Sequence, residues 1–211
     1  MTRKDVATAL IDHQGTLYSE AIGATISRNT PQELFHWLIA SIMLSARISA
    51  GNAVEGAAAL REAGLHKIDA ILGADRHDLV KVLNGNGYAR YDESTADYLR
   101  DTARLVDESY DGDLRQMRGD SADETLKRLQ QAKGLGKLGA SIFAREAQLV
   151  WDELYPTIDG KAVEMAGELG LPTEAEDLRD LAGGRERFVR LVAALTRARL
   201  EGPDEAVEAA A

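Results

Sequence analysis

The sequence has no cysteine among its 211 residues. Disulfide bonds, zinc sites with cysteine ligands and iron–sulfur clusters are therefore excluded, because each of them needs cysteine sulfur. No uninterrupted apolar run approaches the roughly 18 residues that a membrane span needs. The first residues are charged and no apolar stretch follows them, so no secretory signal is predicted. We therefore expect a cytoplasmic protein that does not enter a membrane.

Basic residues are in the minority. The chain has 25 Lys and Arg against 35 Asp and Glu, which gives a formal net charge of −10 at pH 7. General attraction to a polyanion has the wrong sign for such a chain, so a nucleic-acid partner would need a locally basic site. The 45% of apolar and 28% of charged residues are typical of a globular protein, and the length fits one domain or a compact two-lobed unit.

Apolar residues follow helical spacing through nearly the whole chain, and no segment alternates convincingly with the period of a strand. The strongest run, 34–48, follows the capping pattern Thr30-Pro31-Gln32-Glu33 and is apolar on almost every side, as a central core helix would be. The pattern predicts an all-α fold of nine or ten helices. A segment over 1–29 is expected to pack on this core, and an acidic tail over 202–211 is expected to be flexible.

One segment has the features of a phosphate-binding site. Between two predicted helices, Gly134-Leu135-Gly136 forms a tight turn whose glycines allow positive φ and close approach of another backbone. The helix after the turn presents unpaired amides and the positive end of its dipole. Residues 126–149 contain 5 Lys or Arg and 1 Glu, a local charge of +5 − 1 = +4. A simple Gly-x-Gly turn between two core helices remains the plainer interpretation.

Four motifs carry a resemblance to a known family. Gly134-Leu-Gly-Lys-Leu-Gly-Ala140 resembles the hairpin of the endonuclease III, or helix-hairpin-helix-GPD, superfamily of DNA glycosylases. Tyr155-Pro-Thr-Ile-Asp159 resembles the loop that carries that family's catalytic aspartate, and Asp159 follows the second hairpin glycine by 159 − 136 = 23 residues, similar to the family's spacing. Met43-Leu-Ser-Ala-Arg47 resembles its Leu-Leu-Ser-Ala-Gln motif, and Gly87-Tyr-Ala-Arg-Tyr91 resembles its glycine-containing turn.

The resemblance spans about residues 30–200. It implies a two-lobed, endonuclease III-like helical bundle, with a glycosylase-like domain over 30–201 and the helix-hairpin-helix over 122–151. It also implies base-excision repair: hydrolysis of the N-glycosidic bond of a damaged or mismatched base that is flipped out of duplex DNA. Bifunctional members have a nucleophilic lysine two residues after the second hairpin glycine. This chain has Leu138 there, so strand cleavage through a Schiff base is not expected.

The resemblance also assigns roles to single residues. Asp159 would stabilise the positive charge that develops on the sugar and orient the attacking water, although an aspartate before Gly160 is equally suited to cap a helix. Arg47, where the family has Gln, would fill the space left by the flipped base, or be a solvated helix end. The other expected DNA contacts are Lys133, Gly134, Leu135, Gly136, Lys137, Gly139 and Lys161. Candidates for stacking on the base are Tyr88, Tyr91 and Trp37, each of which also fits a core position.

Three functions fit this sequence. The first is a monofunctional glycosylase that acts as a monomer on double-stranded DNA, associates with the nucleoid and needs no cofactor. The resemblance also implies that the carbonyls of the hairpin could hold a monovalent cation, as they do in relatives. The second is a catalytically silent DNA-binding protein, which the acidic balance and the missing lysine favour. The third is a helical protein whose hairpin contacts another protein, with the acid-rich stretch 92–124 as a contact surface.

Overall fold

The computed structural model describes residues 2–88 and 91–211, and of Gly87 and Tyr88 it describes the backbone only. All regular structure in these ranges is helical and none is strand, which confirms the predicted all-α fold. None of the described helices is both long and apolar enough to cross a membrane. The chain divides into two compact units: the N-terminal residues through Tyr18 join Ala144–Ala211 in the first unit, and Ser19–Phe143 forms the second.

The α-helices of the described residues are α1 (Arg3–Gln14), α2 (Tyr18–Ala21), α3 (Pro31–Leu44), α4 (Ala50–Glu62), α5 (Ile68–Gly73), α6 (Arg76–Leu83), α7 (Asp92–Tyr110), α8 (Ala122–Leu129), α9 (Gly136–Ala147), α10 (Gly160–Glu168), α11 (Ala175–Ala182), α12 (Arg185–Glu201) and α13 (Glu205–Ala210). Short 3₁₀ turns cover Ile26–Arg28, Leu114–Met117 and Asp152–Leu154, and a π turn covers Asn84–Tyr88.

The first unit is built around α12. Helices α1, α10 and α11 pack on it, because its apolar residues recur often enough to bury most of its surface. Phe188 and Leu195 of α12 are completely buried, and α1 contributes Val6 and Leu10 to the same core. Each such side chain stabilises the fold by about 1.5–3 kcal/mol when it is fully buried.

Residues 202–211 do not form the flexible tail that the sequence predicts. They contain α13, where Asp204 caps the helix by accepting a hydrogen bond from the Ala206 amide at 2.9 Å. Gln14 of α1 fixes the preceding turn, since its Nε2 donates to the Gly202 carbonyl at 3.0 Å. The prediction was wrong because Val207 and Ala210, one helical turn apart, pack against α1 and are 0% and 7% exposed.

The second unit has α3 at its centre, as the sequence predicts. All residues from 33 to 43 are buried, and α4 and α7 pack against this helix. The predicted capping box does not form, because the Thr30 side chain makes no cap hydrogen bond. Glu33 instead accepts two hydrogen bonds from Arg61, at 3.1 and 3.2 Å, and one from the Thr25 amide at 2.8 Å. The ion pair with Arg61 offsets the free-energy cost of burying the Glu33 carboxylate, which a capping hydrogen bond alone would not do.

The N-terminal segment over 1–29 belongs to both units rather than to one. Leu10 and Leu17 are buried in the first unit, and Ile22 and Ile26 are buried in the second. The segment therefore supplies core residues to each.

Candidate nucleic-acid interface

The bend at 134–136 has the shape that its glycines predict. Gly134 and Gly136 have φ values of +85° and +53°, in the region that favours glycine. Leu135 between them is 1% exposed, so its side chain turns back into the protein. Gly139 is packed against it, because a Cβ at that position would come within 2.9 Å of Leu135 Cδ1. Leu135 and Gly139, which the sequence also suggests as DNA contacts, are buried and hold the bend instead.

The outer side of the bend is exposed. Lys133, Gly134, Gly136 and Lys137 are all exposed, and a Cβ added at Gly136 would meet nothing within 4 Å. The first amides of α9 have no acceptor within their own helix, and the Gly139 amide is the one that bonds back to the Leu135 carbonyl, at 2.9 Å. The bend thus directs free amides and the positive end of a helix dipole outward, which suits a phosphate.

Tyr98 of α7 supports this bend, and sequence reasoning missed it. A Cβ at Gly134 would lie 2.5 Å from Tyr98 Cδ2, so this position requires glycine for space as well as for its φ. The Lys133 ammonium lies 5.9 Å from the centroid of the same ring. No local pattern reveals such a contact, because Tyr98 precedes Gly134 by 134 − 98 = 36 residues.

The local charge of +4 predicted from the sequence is mostly neutralised by acids from outside the segment. Three of its five bases have such partners: Lys133 with Asp101 at 2.9 Å, Arg128 with Glu124 at 2.5 Å and Arg145 with Asp159 at 3.0 Å. The hydrogen bond that the Lys133 ammonium donates to Asp101 raises the pKa of Lys133. In the part of the chain that the structure describes, the two bases of this segment without an ion pair are Lys127 and Lys137.

A cleft of about 300 Å³ lies beside the bend, within the second unit. It is bounded by the end of α3 and the turn after it, by the first half of α7 and by Gly134. It brings together three residues that the sequence selects for DNA contact, Arg47, Tyr91 and Gly134. Arg47 is exposed, and no carboxylate of the described residues lies within ion-pair distance of it.

The other candidates do not belong to this cleft. Trp37 is completely buried, and its Nε1 donates to the Phe143 carbonyl at 3.0 Å. Its predicted stacking role was wrong, because an indole inside the core has no face open to a base. The side chain of Tyr88 lies outside the described residues. Lys161 is exposed in the first unit, on the first turn of α10.

Asp159 lies in a buried polar cluster of the first unit. Its Oδ1 accepts a hydrogen bond from the Ala162 amide at 3.0 Å, which confirms that it caps α10. Its Oδ2 accepts two more, from Arg145 Nη1 and from Thr196 Oγ1, both at 3.0 Å. The residue is 8% exposed. Within this unit, the carboxylate therefore joins α10 and α12 to the last residues of α9, 144–147.

The same cluster keeps Asp159 ionised. Burial alone would raise the pKa of Asp159, because the charged form loses its hydration. The charge of Arg145 and the hydrogen bonds from Ala162, Arg145 and Thr196 outweigh burial, so the pKa is lowered. Asp159 therefore carries its negative charge at neutral pH.

Arg145 also makes a cation–π contact. Its guanidinium lies 4.8 Å from the centroid of the Tyr18 ring, and that of Arg197 lies 4.5 Å from it. Burial raises the pKa of Tyr18, so the ring stays neutral between the two cations. Sequence reasoning missed Arg145 as a partner of Asp159. The available signal was that Arg145 directly follows the apolar residues Ile142, Phe143 and Ala144 in one helix, which is a position where a buried ion pair is expected.

No set of three or more His, Asp and Glu side chains within the described ranges is placed to hold a metal ion. Comparison with models of known protein families gives no match, and comparison with curated proteins gives none either. The function is therefore inferred from the residues of this chain and their geometry.

Proposed function

We propose that this chain binds duplex DNA through the exposed bend at 134–136, in the manner of the helix-hairpin-helix-GPD glycosylases that its motifs resemble. The observation that supports this proposal is the exposure of the bend itself, with Leu135 buried beneath and the first amides of α9 directed outward. Backbone amides at a helix start donate to phosphate oxygens without reading the base sequence.

Two exposed cations supplement these amides. Lys137 lies on the first turn of α9, and Arg47 lies at the cleft beside the bend. Both are without an ion pair among the described residues, so neither has to give up a carboxylate before it binds a phosphate. A protein of net charge −10 has to rely on such local contacts.

Charge reversal at Lys137 tests this proposal. In fluorescence anisotropy with a labelled duplex at low salt, we expect Lys137→Glu to weaken binding by about tenfold, because it removes a phosphate contact and adds repulsion. Lys81→Glu is the matched control, since Lys81 is an exposed lysine of the same unit, on α6. Equal effects of the two variants, or no binding by the unaltered protein, would reject the proposal and favour a hairpin that contacts protein.

A second candidate function is monofunctional base excision. Asp159 is ionised at neutral pH, as this function requires, because only an ionised carboxylate stabilises positive charge on a sugar. We rank it below DNA binding, because this carboxylate is buried and already accepts three hydrogen bonds. Leu138 gives no nucleophile for a Schiff base, so the products would be a free base and an intact abasic strand.

The test for excision is a panel of duplexes with alkylated, deaminated or oxidised bases, read for abasic sites as alkali-labile breaks. If Asp159 acts on the sugar, the double variant Asp159→Asn/Arg145→Met is expected to fold and to produce no breaks. Arg145→Lys keeps a carboxylate beside a cation and serves as the control. Turnover that persists in the double variant would exclude Asp159 from the reaction.

A further inference from the structure

We infer that Asp101 of α7 competes with DNA for Lys133, so that this lysine binds a phosphate at the bend only after the carboxylate is displaced. The inference rests on the proposed DNA binding and adds a contact within the protein that limits its affinity. Lys133 directly precedes the bend, and its ammonium donates a hydrogen bond to Asp101 Oδ2 at 2.9 Å. A carboxylate of the protein and a phosphate of the ligand therefore compete for one cation.

The Lys133–Asp101 pair lies at the surface. Its two side chains are 62% and 36% exposed, so water and salt screen their attraction. Exposed pairs of this kind contribute little free energy, and a phosphate replaces the carboxylate at small cost. The buried pair of Arg145 and Asp159 differs, because breaking it would leave a charge without hydration. The pair at the bend is therefore the one suited to exchange of its anion.

Asp101 keeps a cation when Lys133 leaves it. Its other oxygen, Oδ1, accepts a hydrogen bond from Arg104 Nη1 at 3.1 Å. The carboxylate thus stays paired after the exchange, which lowers the cost of releasing Lys133. The Tyr98 ring, whose centroid is 5.9 Å from the Lys133 ammonium, is packed against Gly134. The lysine therefore lies beside the bend before the exchange takes place.

Asp97, one helical turn before Asp101, is not an equivalent competitor. Its Oδ1 accepts a hydrogen bond from Arg76 Nε at 2.6 Å, and its Oδ2 accepts one from Arg76 Nη2 at 3.0 Å. Both oxygens are thus occupied by one guanidinium of α6, in the bidentate arrangement that is strongest for arginine. Removing the Asp101 charge should therefore free Lys133 rather than transfer it to Asp97.

The competition has a consequence for the salt dependence of binding. In the unaltered protein the Asp101 charge remains beside the DNA after the exchange, so Lys133 and Asp101 together add about zero net charge to the interface. Without the Asp101 charge, Lys133 adds one full phosphate contact. The salt dependence therefore reports the competition separately from the affinity.

The experiment measures DNA binding by Asp101→Asn. In fluorescence anisotropy with a labelled duplex at low salt, we expect this variant to bind about threefold to fivefold more tightly than the unaltered protein, because Lys133 is then free for a phosphate. The slope of log K against log salt should become steeper by about 0.9, the value for one phosphate contact. Asp101→Glu keeps the carboxylate and should keep the affinity and the slope of the unaltered protein.

Asp107→Asn is the matched control. Asp107 is an exposed carboxylate of the same helix, and its substitution changes the net charge by the same amount. It follows Asp101 by 107 − 101 = 6 residues and so lies on another side of α7. The double variant Lys133→Gln/Asp101→Asn should bind no more tightly than Lys133→Gln alone. None of these three side chains is buried, so we expect every variant to fold.

The outcomes separate the inference from the function on which it rests. The inference is overturned while DNA binding stands if Asp101→Asn has the affinity and salt slope of the unaltered protein, if Asp107→Asn gives an equal gain, or if the gain persists without Lys133. If neither the unaltered protein nor Asp101→Asn binds the duplex, the proposed function itself fails and the inference fails with it.

Discussion

His36 shows how the surroundings of one residue decide its charge. Its Nε2 donates to the Ala57 carbonyl at 2.9 Å, which leaves Nδ1 as the acceptor for Arg61, 3.4 Å away. Burial lowers the pKa of His36, and the nearby His66 and Arg61 lower it further, to about 4 from 6.5, against the opposite effects of Ala57 and Glu33. A proton on Nδ1 would break the bond from Arg61 and place two cations together.

This shift predicts a pH-dependent stability. The folded pKa of His36 lies below its unfolded value, so the unfolded chain takes up the proton first and stability falls as the pH drops from 6.5 to about 4. The loss amounts to about 3 kcal/mol at most, because one pKa unit corresponds to about 1.4 kcal/mol. Urea unfolding at pH 7 and pH 4.5 measures it.

His36→Gln should flatten this pH dependence, because glutamine can donate to Ala57 but does not titrate. His77→Gln, at an exposed histidine of α6, is the matched control and should keep the slope of the unaltered protein. A slope that is unchanged in His36→Gln would show that other groups cause the effect.

The pair of Asp159 and Arg145 predicts a non-additive response to mutation. Asp159→Asn leaves a buried guanidinium without its carboxylate, which destabilises a protein by roughly 3–5 kcal/mol. Adding Arg145→Met should recover most of this loss, because no uncompensated charge then remains in the cluster. Chemical unfolding of the two single variants and the double variant completes the cycle. Additive losses would contradict the role of Asp159 as the counter-ion.

The contribution of the Asp159–Arg145 pair to stability is lost at acid pH. The pKa of Asp159 is lowered in the folded state, so its contribution is present above the unfolded value of 3.8 and is lost as the pH falls below it. This window lies below that of His36, and the two effects are therefore separable in a pH series.

The bend at 134–136 contains two glycines that differ in one respect. Both have positive φ, but only Gly134 lies against another side chain, the Tyr98 ring. We expect Gly136→Ala to cost about 1–2 kcal/mol, the usual penalty for an L-residue in the left-handed region. Gly134→Ala should cost more, because its methyl group meets the ring at 2.5 Å.

Thermal and urea unfolding of the two alanine variants measure this difference. In the Gly134→Ala background, Tyr98→Ala removes the ring. It should therefore narrow the difference in destabilisation between the variants at positions 134 and 136. If the two glycine variants are equally destabilised, Tyr98 is not the reason for glycine at position 134.

Helices α3 and α9 show how far local sequence patterns reach. The apolar run of α3 and the glycines before α9 were sufficient to place a central helix and a bend, because helical spacing and positive φ act over a few residues. The partners of these elements were not predicted. Glu33 binds Arg61, which follows it by 28 residues, and Gly134 contacts Tyr98, which precedes it by 134 − 98 = 36 residues.

For the whole molecule, a net charge of −10 predicts a weak salt dependence of DNA binding. Among the described residues, the segment 126–149 and the cleft beside the bend contain three bases without an ion pair: Arg47, Lys127 and Lys137. With about three phosphate contacts, the slope of log K against log salt should be about −2.7. Anisotropy titrations between about 25 and 200 mM salt, a range over which the Debye length shortens, give this slope. A slope steeper than about −5 would require a basic surface that we have not identified.

The sequence by itself determined the helical class, the central helix α3 and the shape of the bend, because these depend on the spacing and backbone freedom of neighbouring residues. Tertiary structure decided which charges remain available and which side chains are accessible. Folding paired Lys133 with Asp101, buried Trp37, fixed Asp159 between Arg145 and Thr196, and placed Arg47 in one cleft with Tyr91. Each of these outcomes joins residues that are distant in the chain, and burial and ion pairing between them depend on positions in space that no local pattern contains.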